Sequence, residues 1–194
     1  MTIDNTVTER SHGYWSGRAP EYSELHEREM NSMRGDSFIK WVASLPQTGA
    51  GVQALDLGCG SGFVSICLAS AGCTVTSVDF SAEMLEQARS NLEARGLNGV
   101  TFKQMDVHNL EFAENTFDLV MTRNVTWILK DLEQVYAEVL RVLKPGGTLI
   151  NLDGDFGRST VKRVQAGIEP THPTHNPHPS VLCKHCEPVD PYVT

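Results

Sequence analysis

One carboxylate and three glycines stand close together in the segment Asp56-Leu-Gly-Cys-Gly-Ser-Gly62. An apolar run at residues 52–57 leads into this segment, and residues 63–71 follow it with apolar side chains at helical spacing. A strand, a glycine turn and a helix in this order bring backbone N–H groups and a helix N-terminus close to a ligand. Because the fixed charge of Asp56 would oppose a phosphate, the segment does not predict a plain pyrophosphate cradle.

Two further aspartates, Asp79 and Asp106, close the stretches at residues 74–79 and 100–106. If these stretches are parallel strands, their carboxyl ends meet at one edge of a sheet, where such sheets bind ligands. A carboxylate that ends the second strand is placed to accept hydrogen bonds from both ribose hydroxyls. Asp79 therefore predicts a nucleoside ligand, although a single aspartate at a strand end can also be a helix cap or a turn residue.

Strands and helices alternate along the middle of the chain. This alternation predicts parallel pairing with right-handed crossovers, and hence a doubly wound α/β sheet. The connection between the third and fourth strands is too short to hold a full crossover helix. The predicted strands are residues 52–57, 74–79, 100–106, 116–122 and 148–153, and the predicted helices between them are residues 61–71, 82–95 and 131–143.

Length and composition exclude several classes of protein. The chain has 194 residues and a formal net charge of −8, which suits one acidic domain with a proper core and disfavours a nucleic-acid partner. No apolar run reaches the roughly 20 residues needed to span a bilayer, and the first residues do not resemble a secretory signal. Three of the five cysteines lie in apolar α/β segments, which predicts reduced thiols in a cytoplasm.

The N-terminal segment is rich in aromatic residues, namely Tyr14, Trp15 and Tyr22. We expect residues 1–12 to be disordered, and we find no helical or strand period at residues 12–22. Two interpretations stay open: the aromatic rings pack an N-terminal arm onto the domain, or they form a lid over the ligand. Helices are predicted after this segment, at residues 21–33 and 36–45.

Five short motifs follow one another through residues 50–153. They are Leu55-Asp-Leu-Gly-Cys-Gly-Ser-Gly62, Ser77-Val-Asp-Phe-Ser81, Met105-Asp106, Phe117-Asp-Leu-Val120 and Glu138-Val-Leu-Arg-Val-Leu-Lys-Pro-Gly-Gly147. As an ordered set they resemble the motifs of small-molecule class I S-adenosylmethionine-dependent methyltransferases, most closely the branch that acts in ubiquinone and menaquinone biosynthesis. The resemblance implies a Rossmann-like sheet of order 3-2-1-4-5, S-adenosyl-L-methionine as cofactor, and methyl transfer by in-line displacement to a small-molecule acceptor.

The resemblance also implies which residues hold each part of the cofactor. Asp56, Gly58 and Gly60 would lie against its amino-acid end. Asp79 would hold the ribose, and Phe80 would lie beside the adenine.

Four more residues are implied at the ends of the third and fourth strands. Asp106 would accept a hydrogen bond from the adenine amino group, helped by the backbone of Val107. Arg123 and Asn124 would stand beside the methionine portion and the transferred methyl group. With a sulfonium cofactor, an aromatic face of the proposed lid could also stabilise the positive charge.

The acceptor side departs from the pattern used for the exocyclic amines of bases. After the fourth strand the chain reads Arg123-Asn-Val-Thr-Trp-Ile-Leu129, without an Asn/Asp-Pro-Pro-Tyr signature, so nucleic-acid methylation is disfavoured. Trp127 in this segment is a candidate substrate contact. His12, His26 and His108 are expected to be surface imidazoles, and no catalytic base is predicted.

The C-terminal part departs from the family as well. The family usually adds a helix and an antiparallel hairpin after the fifth strand, whereas residues 154–194 show no convincing pair of strands. We therefore divide the chain into a lid region at 1–49, a cofactor-binding domain at 50–153 and a Pro/His-rich tail at 154–194. The tail segment Cys183-Lys-His-Cys186 and four histidines are zinc-ligand types, but their spacing does not suit a site, and we expect a mobile, metal-free tail.

Two other hypotheses stand beside methyl transfer. A nicotinamide-dependent oxidoreductase would have a Gly-x-Gly-x-x-Gly turn, which this glycine loop does not contain. A cofactor-binding but inactive homologue, or an interaction protein, would keep the same cofactor pocket. We expect no membrane partner, and the sequence predicts neither the acceptor atom nor an oligomeric state.

Overall fold

The computed structural model describes the backbone of residues 5–154 and the side chains of residues 13–154. Within this range, five strands form one all-parallel sheet in the order β3-β2-β1-β4-β5. The strands are β1 Gln53–Leu57, β2 Thr74–Asp79, β3 Thr101–Gln104, β4 Phe117–Arg123 and β5 Leu143–Leu152. The helices are α1 Asn5–Met30, α2 Met33–Ser44, α3 Phe63–Ser70, α4 Ala82–Glu93 and α5 Leu132–Val142. The predicted fold class and strand order are therefore confirmed.

Strand β1 lies at the centre of the sheet, between β2 and β4. Its Asp56 stands in register with Ser77 of β2 and Met121 of β4, so the carboxyl ends of the three strands meet at one edge. Residues 105–116, between β3 and β4, form turns without a helix, as the short connection predicted.

The core has two layers because successive residues of a strand point to opposite faces of the sheet. On one face, Ala54 and Leu119 pack in a cluster with Val42 of α2. On the other face, Leu55 packs in a cluster with Val135 of α5. All of these side chains are fully buried, and the apolar residues of the strands thus hold helices on both faces of the sheet.

The N-terminal prediction is wrong about residues 5–22, which belong to one long helix, α1. The side chains that α1 turns inward are spaced as in a helix, but they include the small or polar residues Ala19, Ser23 and His26 between Trp15 and Met30. A hydropathy pattern does not detect such a stripe, so the period was missed. Contacts with the rest of the domain stabilise α1, because its sequence alone does not favour a helix.

The segment Lys144-Pro-Gly-Gly147 is not a turn before β5, as predicted, but lies within it. Leu143 pairs with Phe117 and Thr148 pairs with Leu119, so residues 144–147 bulge opposite the single residue Asp118. Lys144 Nζ donates to both carboxylate oxygens of Asp118 at 2.9 Å. The strand therefore begins five residues earlier than the apolar run indicated, directly after α5.

Two predictions concern parts of the chain outside this description. The hypotheses on the Pro/His-rich tail and its Cys-x-x-Cys pair fall on residues 155–194, which lie outside the described residues, as does the side chain of His12. Among the described helices, none is long and apolar enough to cross a bilayer.

Candidate functional site

A cavity of about 70 Å³ opens at the carboxyl ends of β1, β2 and β4, and α1 forms part of its wall. Ten of the thirteen residues that the sequence indicated for cofactor or substrate contact line this cavity. They are Trp15, Tyr22, Asp56, Gly58, Gly60, Asp79, Phe80, Val107, Arg123 and Asn124. The other three, Tyr14, Asp106 and Trp127, are not among the lining residues.

The glycine loop between β1 and α3 needs glycine for two physical reasons. Gly58 and Gly60 have φ angles of 70° and 52°, in the left-handed region that favours glycine. A Cβ on Gly58 would lie 2.7 Å from a methyl carbon of Val125. The N–H groups of Gly58 and Cys59 both donate to the carbonyl of Val78 at 2.9 Å, which fixes the loop against β2.

Asp79 joins the glycine loop to the start of α4. Its Oδ2 accepts from the N–H of Gly60 at 2.8 Å, and its Oδ1 accepts from the N–H of Ser81 at 2.9 Å. The Oγ of Ser81 in turn accepts from the N–H of Met84 and caps α4. Asp79 also lines the cavity, where a carboxylate can accept hydrogen bonds from ligand hydroxyls. The sequence analysis left such a turn role open for Asp79, and its contact with a ligand stays a prediction.

Asp56 is fully buried behind the glycine loop, with only 1% of its surface exposed. The Oγ of Ser65 donates to its Oδ2 at 2.5 Å, and the Oγ atoms of Ser65 and Ser77 are 2.8 Å apart. Burial raises the pKa of the Asp56 carboxyl to about 7, because desolvation disfavours the charged form. A cationic group in the cavity would favour the carboxylate.

Arg123, the last residue of β4, is held between α1 and α3. Its Nη2 donates to Glu29 Oε1 at 2.7 Å. The guanidinium carbon lies 4.1 Å from the ring centroid of Phe63 and 5.6 Å from that of Phe38. The side chain is only 14% exposed, so a positive charge is fixed in the cavity wall.

His26 is a cavity residue, and the prediction of a surface imidazole is wrong for it. Its Nδ1 lies 2.7 Å from Ser61 Oγ in the glycine loop, and its ring centroid is 4.3 Å from that of Tyr22. Burial, and then the charge of Arg123, lower the pKa of His26 to about 3, so the ring is neutral at neutral pH. Sequence inspection gave no signal for this position, because the contact joins residues 35 apart.

A short segment after β4 forms an apolar side of the cavity through Val125, Ile128 and Leu129. Asp153 anchors this segment by accepting from the N–H of Val125 at 3.0 Å and from the hydroxyl of Thr126. These three apolar residues were not predicted individually, although the segment was singled out as the acceptor side. Further lining residues that the sequence analysis missed are Cys59, Phe63, Val64 and Met84.

The three predicted residues that do not line the cavity have other contacts. Tyr14 accepts a hydrogen bond from Arg18 at 2.6 Å through its hydroxyl. The Nε1 of Trp127 donates to the carbonyl of Asn124 at 2.9 Å, which braces the turn after β4. Asp106 Oδ1 lies 2.6 Å from Nδ1 of His108, and this hydrogen bond raises the pKa of His108.

Residues 55–151, which run from within β1 to within β5, match the model of the family described as "Methyltransferase domain". The chain belongs to this methyltransferase family. Membership makes S-adenosyl-L-methionine the cofactor, in agreement with the motifs that indicated this family in the sequence. The sheet order and the position of the glycine loop are those expected of a Rossmann-like methyltransferase.

Three similar proteins illustrate this relationship. YqeM of Bacillus subtilis is 35% identical over 141 residues, covering 70% of this chain and 53% of that protein. The ubiquinone/menaquinone biosynthesis C-methyltransferase UbiE of Desulfotalea psychrophila is 38% identical over 114 residues, covering 58% of this chain and 45% of that protein. The mmp1179 protein of Methanococcus maripaludis shares the fold, with a TM-score of 0.63 and 24% identity, covering 78% of this chain and 69% of that one. The chain spans about half the length of the curated relatives it matches.

Proposed function

We propose that this methyltransferase transfers the methyl group of S-adenosyl-L-methionine to a small molecule. The observation that carries the proposal is the convergence of the glycine loop, the carboxylate of Asp79 and the guanidinium of Arg123 on one cavity. The cavity lies under α1, which favours a small acceptor over a polymer. The apolar side chains of Val125 and Ile128 favour an acceptor with apolar surface.

When bound, S-adenosyl-L-methionine supplies a methyl group already activated on a positively charged sulfur. The chain therefore has to position the acceptor in line and exclude water rather than activate the methyl group. Asp79 would accept hydrogen bonds from the ribose, and the bends at Gly58 and Gly60 would let the backbone approach the ligand closely. The neutral ring of His26 adds no positive charge to a cavity that receives a cation.

The N-terminal helix acts as the lid in this proposal. Trp15 and Tyr22 line the cavity from α1, and their ring centroids are 5.2 Å apart in an edge-on contact. Further along α1, Ser23 accepts from Asn91 at 2.9 Å, and Glu27 pairs with Arg95 at 2.7 Å. These contacts dock α1 on α4, and the cavity beneath is smaller than the roughly 300–1,000 Å³ of most small-molecule sites. We propose that the N-terminal half of α1 moves outward when the cofactor enters.

We also infer a cytoplasmic location. Cys59, Cys67 and Cys73 are free thiols in the described part of the chain, and burial raises the pKa of the first two. Unpaired cysteines of this kind favour a reducing compartment.

The test is formation of S-adenosylhomocysteine by the purified protein with panels of apolar phenols, thiols and amines. We expect turnover with at least one class of acceptor, and loss of that turnover in Asp79→Ala. Binding of the cofactor without turnover on any panel would instead support the hypothesis of an inactive homologue.

A further inference from the structure

We propose that Asp153, directly after β5, is a positioning residue that sets how much space lies beside the transferred group. It acts through the acceptor-side turn, residues 124–129, which carries Val125 and Ile128 into the cavity wall. The inference rests on the proposed function, because it names what limits the size of the group that the cofactor can deliver. It gives the end of β5, which does not itself line the cavity, a part in selecting the ligand.

The acceptor-side turn begins where strands β4 and β5 end together. Arg123 of β4 stands in register with Leu152 of β5, and the N–H of Asn124 then donates to the carbonyl of Leu152 at 2.9 Å. Asn124 has a φ of 59°, in the left-handed region that asparagine adopts more often than most residues. The chain bends out of the sheet at this point, so the groups that hold the bend also place the wall that follows it.

Side chains at the end of β5 hold the next two residues of the turn. Asp153 accepts from the N–H of Val125 at 3.0 Å and from the hydroxyl of Thr126. The oxygen of the same hydroxyl accepts from Nδ2 of Asn151 at 3.0 Å, so Thr126 both donates and accepts although it is buried. Three consecutive residues at the end of β5 thus hold three consecutive residues of the turn.

The position of the turn matters because its apolar side chains lie against the glycine loop. A Cβ on Gly58 would lie 2.7 Å from a methyl carbon of Val125, so Val125 packs directly onto this glycine. Ile128 ends the short helical turn that follows and also lines the cavity. The family resemblance puts Asn124 beside the transferred methyl group, so we expect these two side chains to border the space next to it. Movement of the turn away from the loop would widen this space.

A second aspartate close to the turn provides a matched control. Asp131 caps α5 by accepting from the N–H of Gln134 at 3.1 Å, and it does not line the cavity. Replacing either aspartate with alanine removes a carboxylate that accepts from a backbone N–H. Only Asp153 bonds to the residues that carry the cavity wall, so only its loss should change the space beside the transferred group.

The experiment uses isothermal titration with S-adenosyl-L-methionine and S-adenosyl-L-ethionine, which differ by one methylene in the transferred group. One extra methylene in a close-fitting apolar pocket is worth about tenfold, so we expect the wild type to prefer the methyl compound by this factor. Asp153→Ala should lower the preference severalfold, because the turn loses its anchor. Ile128→Ala, which removes atoms of the wall directly, should have the same effect, whereas Asp131→Ala should keep the preference of the wild type.

A double variant separates positioning from general destabilisation. Asp153→Ala combined with Ile128→Ala should change the preference no more than Ile128→Ala alone, since both act on the same wall. Asp153→Asn keeps one acceptor oxygen for two donors and should lose part of the preference. It serves in place of Asp153→Ala if the alanine variant does not fold.

Three results would overturn the inference. Equal binding of the two ligands by the wild type would show that the turn does not restrict the transferred group. If the preference of Asp153→Ala, or of the asparagine variant in its place, equals that of the wild type, Asp153 does not set the wall. If Asp131→Ala loses as much preference, the effect comes from destabilisation. Failure of the wild type to bind S-adenosyl-L-methionine would refute the proposed function itself.

Discussion

Replacing Asp79 with asparagine removes a charge at the point where the glycine loop, the start of α4 and the cavity meet. The carboxylate already accepts from the N–H groups of Gly60 and Ser81, and we expect it to accept two ribose hydroxyls as well. A hydrogen bond to a charged group contributes about 1.5–3 kcal/mol, so the two ligand bonds together amount to roughly 3–6 kcal/mol. Asparagine keeps one acceptor oxygen, so the Asp79→Asn variant should lose about half of this binding free energy.

The expected loss corresponds to roughly ten- to hundredfold weaker binding of S-adenosylhomocysteine, measured by isothermal titration. The free energy of unfolding in urea should also fall, by about 1–3 kcal/mol, because the bonds to the loop are weakened. Asp118→Asn is the matched control: this carboxylate accepts from the N–H of Gln53 at 2.9 Å and pairs with Lys144, but does not line the cavity. It should leave the affinity unchanged. An unchanged affinity in a folded Asp79→Asn protein would refute the ribose contact.

Three further predictions concern the cavity wall. Burial raises the pKa of Asp56 from 3.8 to about 7, so its protonation stabilises the fold fully below about pH 4, and this contribution is lost as the pH rises through 7. The free energy of unfolding of the wild type, measured in urea, should therefore fall by roughly 2–4 kcal/mol relative to that of Asp56→Asn between about pH 4 and pH 8. If the two proteins show the same dependence of stability on pH, the carboxyl is not buried as described. Gly58→Ala should destabilise the fold more than Gly51→Ala and prevent cofactor binding. Both glycines have positive φ, but only a Cβ at position 58 would meet Val125. Equal urea midpoints for the two variants and intact binding would show that the loop is not crowded. Trp15→Ala should weaken S-adenosylhomocysteine binding severalfold with little change in melting temperature, and the reverse result would make this ring a packing element rather than part of a lid.

The sheet and its ligand edge could be predicted because their signals are local. The central strands β1 and β4 are short runs rich in apolar residues, and Asp56 and Asp79 stand within or at the end of predicted strands. The glycine spacing identified the turn between β1 and α3. Parallel pairing then places the carboxyl ends of β1, β2 and β4 together without any knowledge of side-chain contacts.

The N-terminal helix could not be predicted from hydropathy, because its inward stripe is built from mixed residue types. Ser23 faces Asn91 of α4, and His26 faces Ser61 of the glycine loop. Polar contacts of this kind help to hold α1 on the domain, but they leave no apolar period in the sequence. The length of α1 therefore becomes visible only when the domain it packs against is known.

The pairing of Arg123 with Glu29 was also beyond sequence inspection. The two residues are 94 positions apart, and each is an ordinary charged residue in its local context. Arg123 was indicated beside the methionine portion only through the family resemblance. Its orientation depends on α1 and α3 together, which no local pattern encodes.

The central claim is that this cavity binds S-adenosyl-L-methionine for methyl transfer. Isothermal titration of the wild-type protein with S-adenosylhomocysteine, and separately with NAD⁺, tests it most directly. We predict saturable binding of S-adenosylhomocysteine with one site per chain and no binding of NAD⁺. No heat with S-adenosylhomocysteine, or equal binding of the two ligands, would contradict the account.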